Sequence, residues 1–250
     1  MRKKKGSYFQ NKKSSFLQVP PKGSKGILIT CDVSSVHRGI REAINMFEQF
    51  SDPLPEENQP AKPTEEQMSL EEAIEAPEKE EKKKTRFTQY ISEVTGNCFI
   101  RFVYEQDKPD VIIRKYFDYL KEKGESLTKH VTRMYPIMWC GFPQADEALP
   151  VLKEMLPLMF KEKNPLQYEI VLQRKHKGDG QKETHDELNQ KIMNLVGKPH
   201  HAVYHGGESA ILWLSLGRNL YIGLVPNWKE LCGCNVPKFC AQVTLKNSEN

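Results

Sequence analysis

Apolar residues in this chain fall into short runs separated by charged text, and the period of each run predicts an element. Gly26-Ile-Leu-Ile-Thr-Cys31 is continuous and apolar, long enough for a buried strand and too short for a helix. Asp32, Ser34 and Ser35 then offer caps to a helix with Ile40, Ile44 and Phe47 on one face. Arg86 to Ile91 predicts a strand, and Asn97 to Tyr104 a second and stronger one. A helix capped by Asp110 and running to Lys123 carries Ile113, Phe117 and Leu120 at burial spacing. Thr128 to Met138 returns to strand character.

That order, strand, helix, strand, strand, helix, strand, is the ferredoxin-like split βαβ pattern, and it spans 26–138. After Cys140-Gly-Phe-Pro143, Gln144 to Lys161 reads as a helix in two pieces, because Pro150 and Pro157 each remove an amide donor. Gln167 to Arg174 is a strand. Thr184-His-Asp-Glu187 has capping-box spacing and opens a helix that buries Leu188, Ile192, Leu195 and Val196 and stops at Gly197. Ala210 to Leu216 and Leu220 to Val225 are apolar on both faces, as central strands covered by helices are. Beyond Pro226 the text reads as loop. The expected fold class is α/β of the α+β kind, with a second unit over 139–243 ordered helix, helix, strand, helix, strand, strand.

Charge changes this picture in two places. The net +4 of the 250 residues hides an arm, Met1 to Lys25, with eight basic residues and no acidic one. The arm lacks the periodicity of a core and is expected to be disordered. Tyr8, Phe9 and Phe16 interleave its lysines, so it could contact RNA phosphates and stack on bases, or serve only as an import signal or solubilising tail. Ser51 to Lys84 holds eleven acidic and five basic residues among repeated prolines. Such text cannot offset its ordering entropy, so a disordered insertion in the first unit is expected, with at most a short helix around Ser69 to Glu75. The remaining body is left near +2, so a nucleic-acid surface on it must be local. No apolar run approaches the roughly 20 residues that span a bilayer, and no signal peptide opens the chain. An intracellular protein with no membrane partner is expected, in the nucleus or nucleolus rather than the cytoplasm.

Candidate chemistry is sparse. The six cysteines sit mostly in apolar text, as reduced thiols do. Cys232-Gly-Cys234 and Cys240, with His200, His201 and His205, raise a zinc site, but the paired short-spaced knuckles are missing, so neither metal nor cofactor is expected. His205-Gly206-Gly207 has no Gly-x-Ser-x-Gly turn to accompany it, and Gly178-Asp179-Gly180 fits no phosphate-loop pattern. His185 and Glu187 stand two apart on a helix and face different directions. No catalytic residue is nominated. Binding features do stand out: Arg174, Lys175, His176, Lys177 and Lys182 crowd a strand-to-helix turn, where amides and the helix dipole favour an anion. Arg38 and Arg41 open the first helix in a weaker version of the same arrangement. The competing reading of both groups is an ordinary solvated basic face.

The series Ile27-Leu-Ile-Thr-Cys31, Arg38-Gly-Ile-Arg-Glu-Ala43, an acidic insertion, Asn97-Cys-Phe-Ile-Arg101 and Arg133-Met-Tyr-Pro-Ile137 resembles the THUMP-domain tRNA-binding adaptors of tRNA acetylation. Tyr168-Glu-Ile-Val-Leu-Gln-Arg-Lys175 with the Thr184 helix looks like the THUMP strand and helix, and Ala210 to Val225 like its last two strands. The resemblance covers nearly the whole chain outside the insertion and rests on order and short matches. It implies a ferredoxin-like domain packed on a THUMP domain, which together bind the acceptor end of tRNA. It also implies no catalysis and no small-molecule substrate of its own. The chain would present tRNA to an RNA cytidine acetyltransferase, whose acetyl-CoA and ATP chemistry makes 4-acetylcytidine in serine and leucine tRNAs. Carried over by position, the RNA-binding candidates are Arg133, Arg174, Lys175 and Lys177, with Arg38 and Arg41 below them. His200 to Glu208 departs from the family, standing where it has an Asp-Leu-x-Asn-Pro-like turn. Two other classes stay open: a stand-alone RNA-modifying enzyme with a site built from dispersed residues, and a protein-interaction scaffold.

Overall fold

The computed structural model describes residues 19–54, 85–161, 164–175 and 183–248. Strand β1 (Gly26–Cys31), helix α1 (Val36–Phe50), β2 (Phe87–Ile91), β3 (Asn97–Phe102), α2 (Pro109–Lys123) and β4 (Val131–Ile137) follow one another as the sequence predicts. Their sheet has the order β2-β3-β1-β4 with every pair antiparallel, which is the split βαβ arrangement. Strand alternation sends Ile27, Ile29 and Cys31 toward the helices, among Ile40, Phe47 and Phe117, and sends Leu28 to the opposite face. The caps differ from expectation. Asp32 and Ser35 make no side-chain cap bond, because Val33–Ser35 form a separate tight turn ahead of α1. Asp110 lies inside α2, behind Pro109, which occupies the first position, where no amide is needed.

The second sheet comprises β5 (Trp139–Gly141), β6 (Gln167–Lys175), β7 (His201–Val203), β8 (Ser209–Leu216) and β9 (Asn219–Val225), in the order β5-β9-β8-β6-β7. Strand β6 runs parallel to β7 and β8, and the other pairs are antiparallel. Three-residue strands are too short to show a period, so β5 and β7 had no sequence signal. Helices α3 (Ala145–Met155) and α4 (His185–Val196) cover one face, over Ile211, Trp213 and Ile222. Pro150 sits within α3 without ending it, while Pro157 falls in the tight turn that follows. The Thr184 capping box forms, and Gly197, at φ 68°, ends α4.

The uncovered faces of the two sheets pack on each other. Leu212, Leu214 and Tyr221 meet Leu28, Phe99 and Tyr135 in one core, with the Phe99 and Tyr221 rings 5.1 Å apart. Tyr135 also stacks on Trp228 at 6.3 Å. A Cβ on Gly223 would overlap the carbonyl oxygen of Pro136, so the backbones of β4 and β9 meet with no side chain between them. The loop expected beyond Pro226 is instead a turn leading into helix α5 (Val236–Ser248). Asn235 Oδ1 accepts the Lys238 amide at its start, and Val236, Phe239 and Val243 return to the first helix layer, where the Phe239 and Phe117 rings stand 4.9 Å apart. Those apolar positions already carry helical spacing, which the cysteines and Pro237 obscured.

The expected disordered segments need trimming. Within the described part of the basic arm, the Gly23 amide donates to Cys140 at 2.8 Å, and Lys25 accepts the Phe102 amide at 2.9 Å. Ser51 to Leu54 likewise belong to the folded body: Lys115 pairs with Asp52 at 2.8 Å, and Arg86 donates to the Asp52 carbonyl at 2.7 Å. Arg86 also makes a two-point pair with Asp107, at 2.8 and 2.6 Å. The rest of the arm, residues 1–18, and residues 55–84, with the helix expected near Ser69, lie outside the described residues.

Candidate nucleic-acid interface

Strand β6 organises the surface that the basic corner belongs to. By alternation Tyr168, Ile170 and Leu172 enter the core under α3 and α4, while Val171 turns toward the first sheet. Arg174 therefore lies on the helix side and Lys175 on the other. The Arg174 guanidinium donates to the carbonyls of Glu183 at 2.6 Å and Thr184 at 3.3 Å. It ties the end of β6 to the start of α4, and its Nε is buried without a hydrogen-bond partner among the described residues. Much of its hydrogen-bonding capacity is thus spent on the backbone. Lys175 is exposed, and its carbonyl accepts the Gly217 amide at 2.8 Å. Beside it, exposed Arg218 pairs with Glu93 at 2.7 Å, a surface contact of little energetic weight. Arg218 lies in the tight turn between β8 and β9, away from the basic run of the sequence. Lys177 and Lys182 lie outside the described residues.

Arg133 is exposed on β4, opposite Thr30 of β1 and bridged to Asn235. Two residues on, Tyr135 is buried, and burial pushes its phenol up to about 12 while the Arg133 charge pulls it down. Tyr135 stacks on Trp228, whose indole donates to Glu169 at 3.2 Å. Arg133 therefore belongs to the Glu169 end of β6. Lys175 is six residues farther along, roughly 20 Å at strand rise. The two cations stand on different sheets, Arg133 on β4 and Lys175 at the end of β6. Arg38 and Arg41 are exposed on α1, which packs on the far face of the first sheet. That sheet separates them from β6.

One acid–base contact among the described residues has no sign in the sequence. Glu42 on α1 takes the His130 ring at 2.6 Å and the amides of Lys129 and His130 at 2.9 Å each. Burial alone would raise its carboxyl, but these bonds outweigh that and hold it below the ordinary value. Both oxygens are engaged, so the group works as a clamp between α1 and β4. Glu187, which the sequence places two residues from His185, is likewise held in its capping box. Burial raises the thiols of Cys31 and Cys140 to about 11 and of Cys98 to about 12, which leaves them unreactive. Among the described residues no three His, Cys, Asp or Glu side chains are grouped to hold a metal, and no helix is long and apolar enough to cross a membrane.

No protein-family model matches the sequence, and no curated protein does. Among solved structures, PH1313 from Pyrococcus horikoshii matches with a TM-score of 0.44 at 9% identity, over 82% of this chain. The chain spans 56% of that protein's length.

Proposed function

We propose that this protein is a non-catalytic tRNA-binding adaptor that presents tRNA, serine and leucine tRNAs by resemblance, to an RNA cytidine acetyltransferase for 4-acetylcytidine formation. The observation that carries this reading is the placement of Arg133 and Lys175. Both are exposed, Arg133 on β4 and Lys175 at the end of β6, on a frame whose sheets share one core. Cations on separate elements of one rigid body suit separate phosphates of a folded RNA better than a single small anion. Arg218 adds a cation at the Lys175 end. The THUMP-type sequence order supplies the identity of the RNA and of the enzyme.

Purified protein should bind tRNA with a salt dependence of about one log–log unit per phosphate neutralised. Lys175→Glu and Arg133→Glu should each weaken binding and lower that slope by about one unit, with thermal stability unchanged. Arg174→Glu is a poor probe, because it also cuts the tie to α4. Addition of the acetyltransferase should yield 4-acetylcytidine only when this protein is present. Modification of tRNA by this protein alone would refute the adaptor reading in favour of an RNA-modifying enzyme.

A further inference from the structure

Beyond the end of α4 a recess of about 390 Å³ opens between that helix and β7, with Tyr168 of β6 at its floor. The Tyr168 backbone is enclosed by strand pairing to Ala202 on one side and Ser209 on the other, so the ring is what it offers the recess. That ring is only 2% exposed and packs edge-on against Phe160 at 5.1 Å. Its hydroxyl has no hydrogen-bond partner among the described residues, and burial alone pushes the phenol up to about 12. A nearly buried hydroxyl left without a partner is costly, and one that meets a recess is placed to take up an acceptor from a ligand. Ala202, its register partner on β7, is too small to close over it.

The neighbouring groups fix the chemistry of that ligand. His200 Nδ1 accepts the Leu166 amide at 3.3 Å, so the proton of the neutral ring stands on Nε2, which is left as a donor. Asn194 Oδ1 accepts from Gln190 at 3.0 Å, which leaves the Asn194 amide nitrogen as a donor too. Lys198 adds an exposed ammonium, and no Asp or Glu lines the recess. The side-chain acceptors are thus spent elsewhere, and the donors remain. The end of α4 turns a partial negative charge this way, which Lys198 offsets, so the ligand must be held by directed hydrogen bonds more than by net field. We propose that the recess binds a small molecule through a carboxylate or phosphate group, whose oxygens accept from Tyr168, His200, Asn194 and Lys198. The rest of the molecule would lie against Met193 and Ala202. Only a small group reaches a phenol this buried, which favours a free ligand over a phosphate within an RNA chain. The inference goes beyond the adaptor reading and does not depend on it.

The test uses the whole protein with inorganic phosphate and acetate as probes. At least one of them should raise the melting temperature and shift the His200 imidazole nitrogen signal, both saturably; a response to only one assigns the anionic group. Tyr168→Phe removes the hydroxyl alone and should weaken the probe that binds by about tenfold, the worth of one hydrogen bond to a charged group. Without probe, Tyr168→Phe should melt at the wild-type temperature or above, because the hydroxyl has no partner to lose. Lys198→Ala should also weaken binding by about tenfold, and Lys121→Ala, on α2, should leave it unchanged. Saturating tRNA should leave the probe in place. No saturable response to either probe, wild-type affinity in Tyr168→Phe, or an equal loss in Lys121→Ala would overturn the proposal. So would a lower melting temperature of probe-free Tyr168→Phe, which would show the hydroxyl already engaged, and so would release of the probe by tRNA, which would make the recess an RNA contact. None of these results bears on whether tRNA binds through Arg133 and Lys175, so the two readings fail separately.

Discussion

The shared core makes a prediction about cooperativity. Phe99 is fully buried on β3, where its ring meets Tyr221 of the second sheet at 5.1 Å. Phe99→Ala removes a large ring and leaves a cavity between two backbones that cannot readily collapse, a loss of about 3–5 kcal/mol. With a urea dependence near 3 kcal/mol per molar, the midpoint should fall by about 1–1.7 M. All three tryptophans, Trp139, Trp213 and Trp228, lie beyond β4, so fluorescence reports on the second half while the substitution sits in the first. Far-ultraviolet circular dichroism follows both halves. If the sheets stabilise each other, the two signals move together to the lower midpoint. A tryptophan transition left at its wild-type midpoint would refute the reasoning and make the sheets independent.

Three further outcomes follow from individual contacts. Arg86→Met strands the Asp107 carboxylate, only 3% exposed, and should cost about 3–5 kcal/mol near neutral pH. Chemical denaturation near neutral pH measures the loss, and an unchanged midpoint would contradict the pairing. Glu42 titrates below its ordinary value in the folded protein, so its contribution is complete above the ordinary carboxylate range and is lost as pH falls through and below it. Glu42→Gln should therefore lose less stability on acidification than the wild type, and parallel profiles would contradict the clamp. Gly223→Ala pushes β9 against the Pro136 carbonyl and should lower stability by about 1–3 kcal/mol in a thermal melt, whereas an unchanged melting temperature would mean the two backbones can separate freely.

Legibility from the sequence divides along the range of the interactions. Gly26 to Cys31, the Ile113, Phe117 and Leu120 face, and the Thr184 capping box each depend on residues a few positions apart, and each forms as expected. Helix α5 was equally local, but a proline and clustered cysteines hid its period. Ser35 does hold the N-cap position of α1, without a side-chain bond, whereas α2 starts at Pro109, one residue before the expected cap Asp110. The site was legible only as a composition. Arg174 and Lys175 look equivalent in the sequence, yet strand alternation turns one toward the backbone of α4 and leaves the other exposed.

The sequence by itself therefore determined the longer elements other than α5, the buried faces of α1, α2 and α4 and the split βαβ order, since periodicity and turn chemistry act within a few residues. The tertiary structure alone decided that the two sheets share a core, that α5 returns to the first helix layer, and that Arg133 and Lys175 stand on different sheets. It also joined Glu169 to Trp228, 59 residues away, and Glu42 to His130, 88 residues away. Such pairs are set by how whole sheets and helices dock, and docking follows from the summed burial of many side chains, which no single stretch of sequence records.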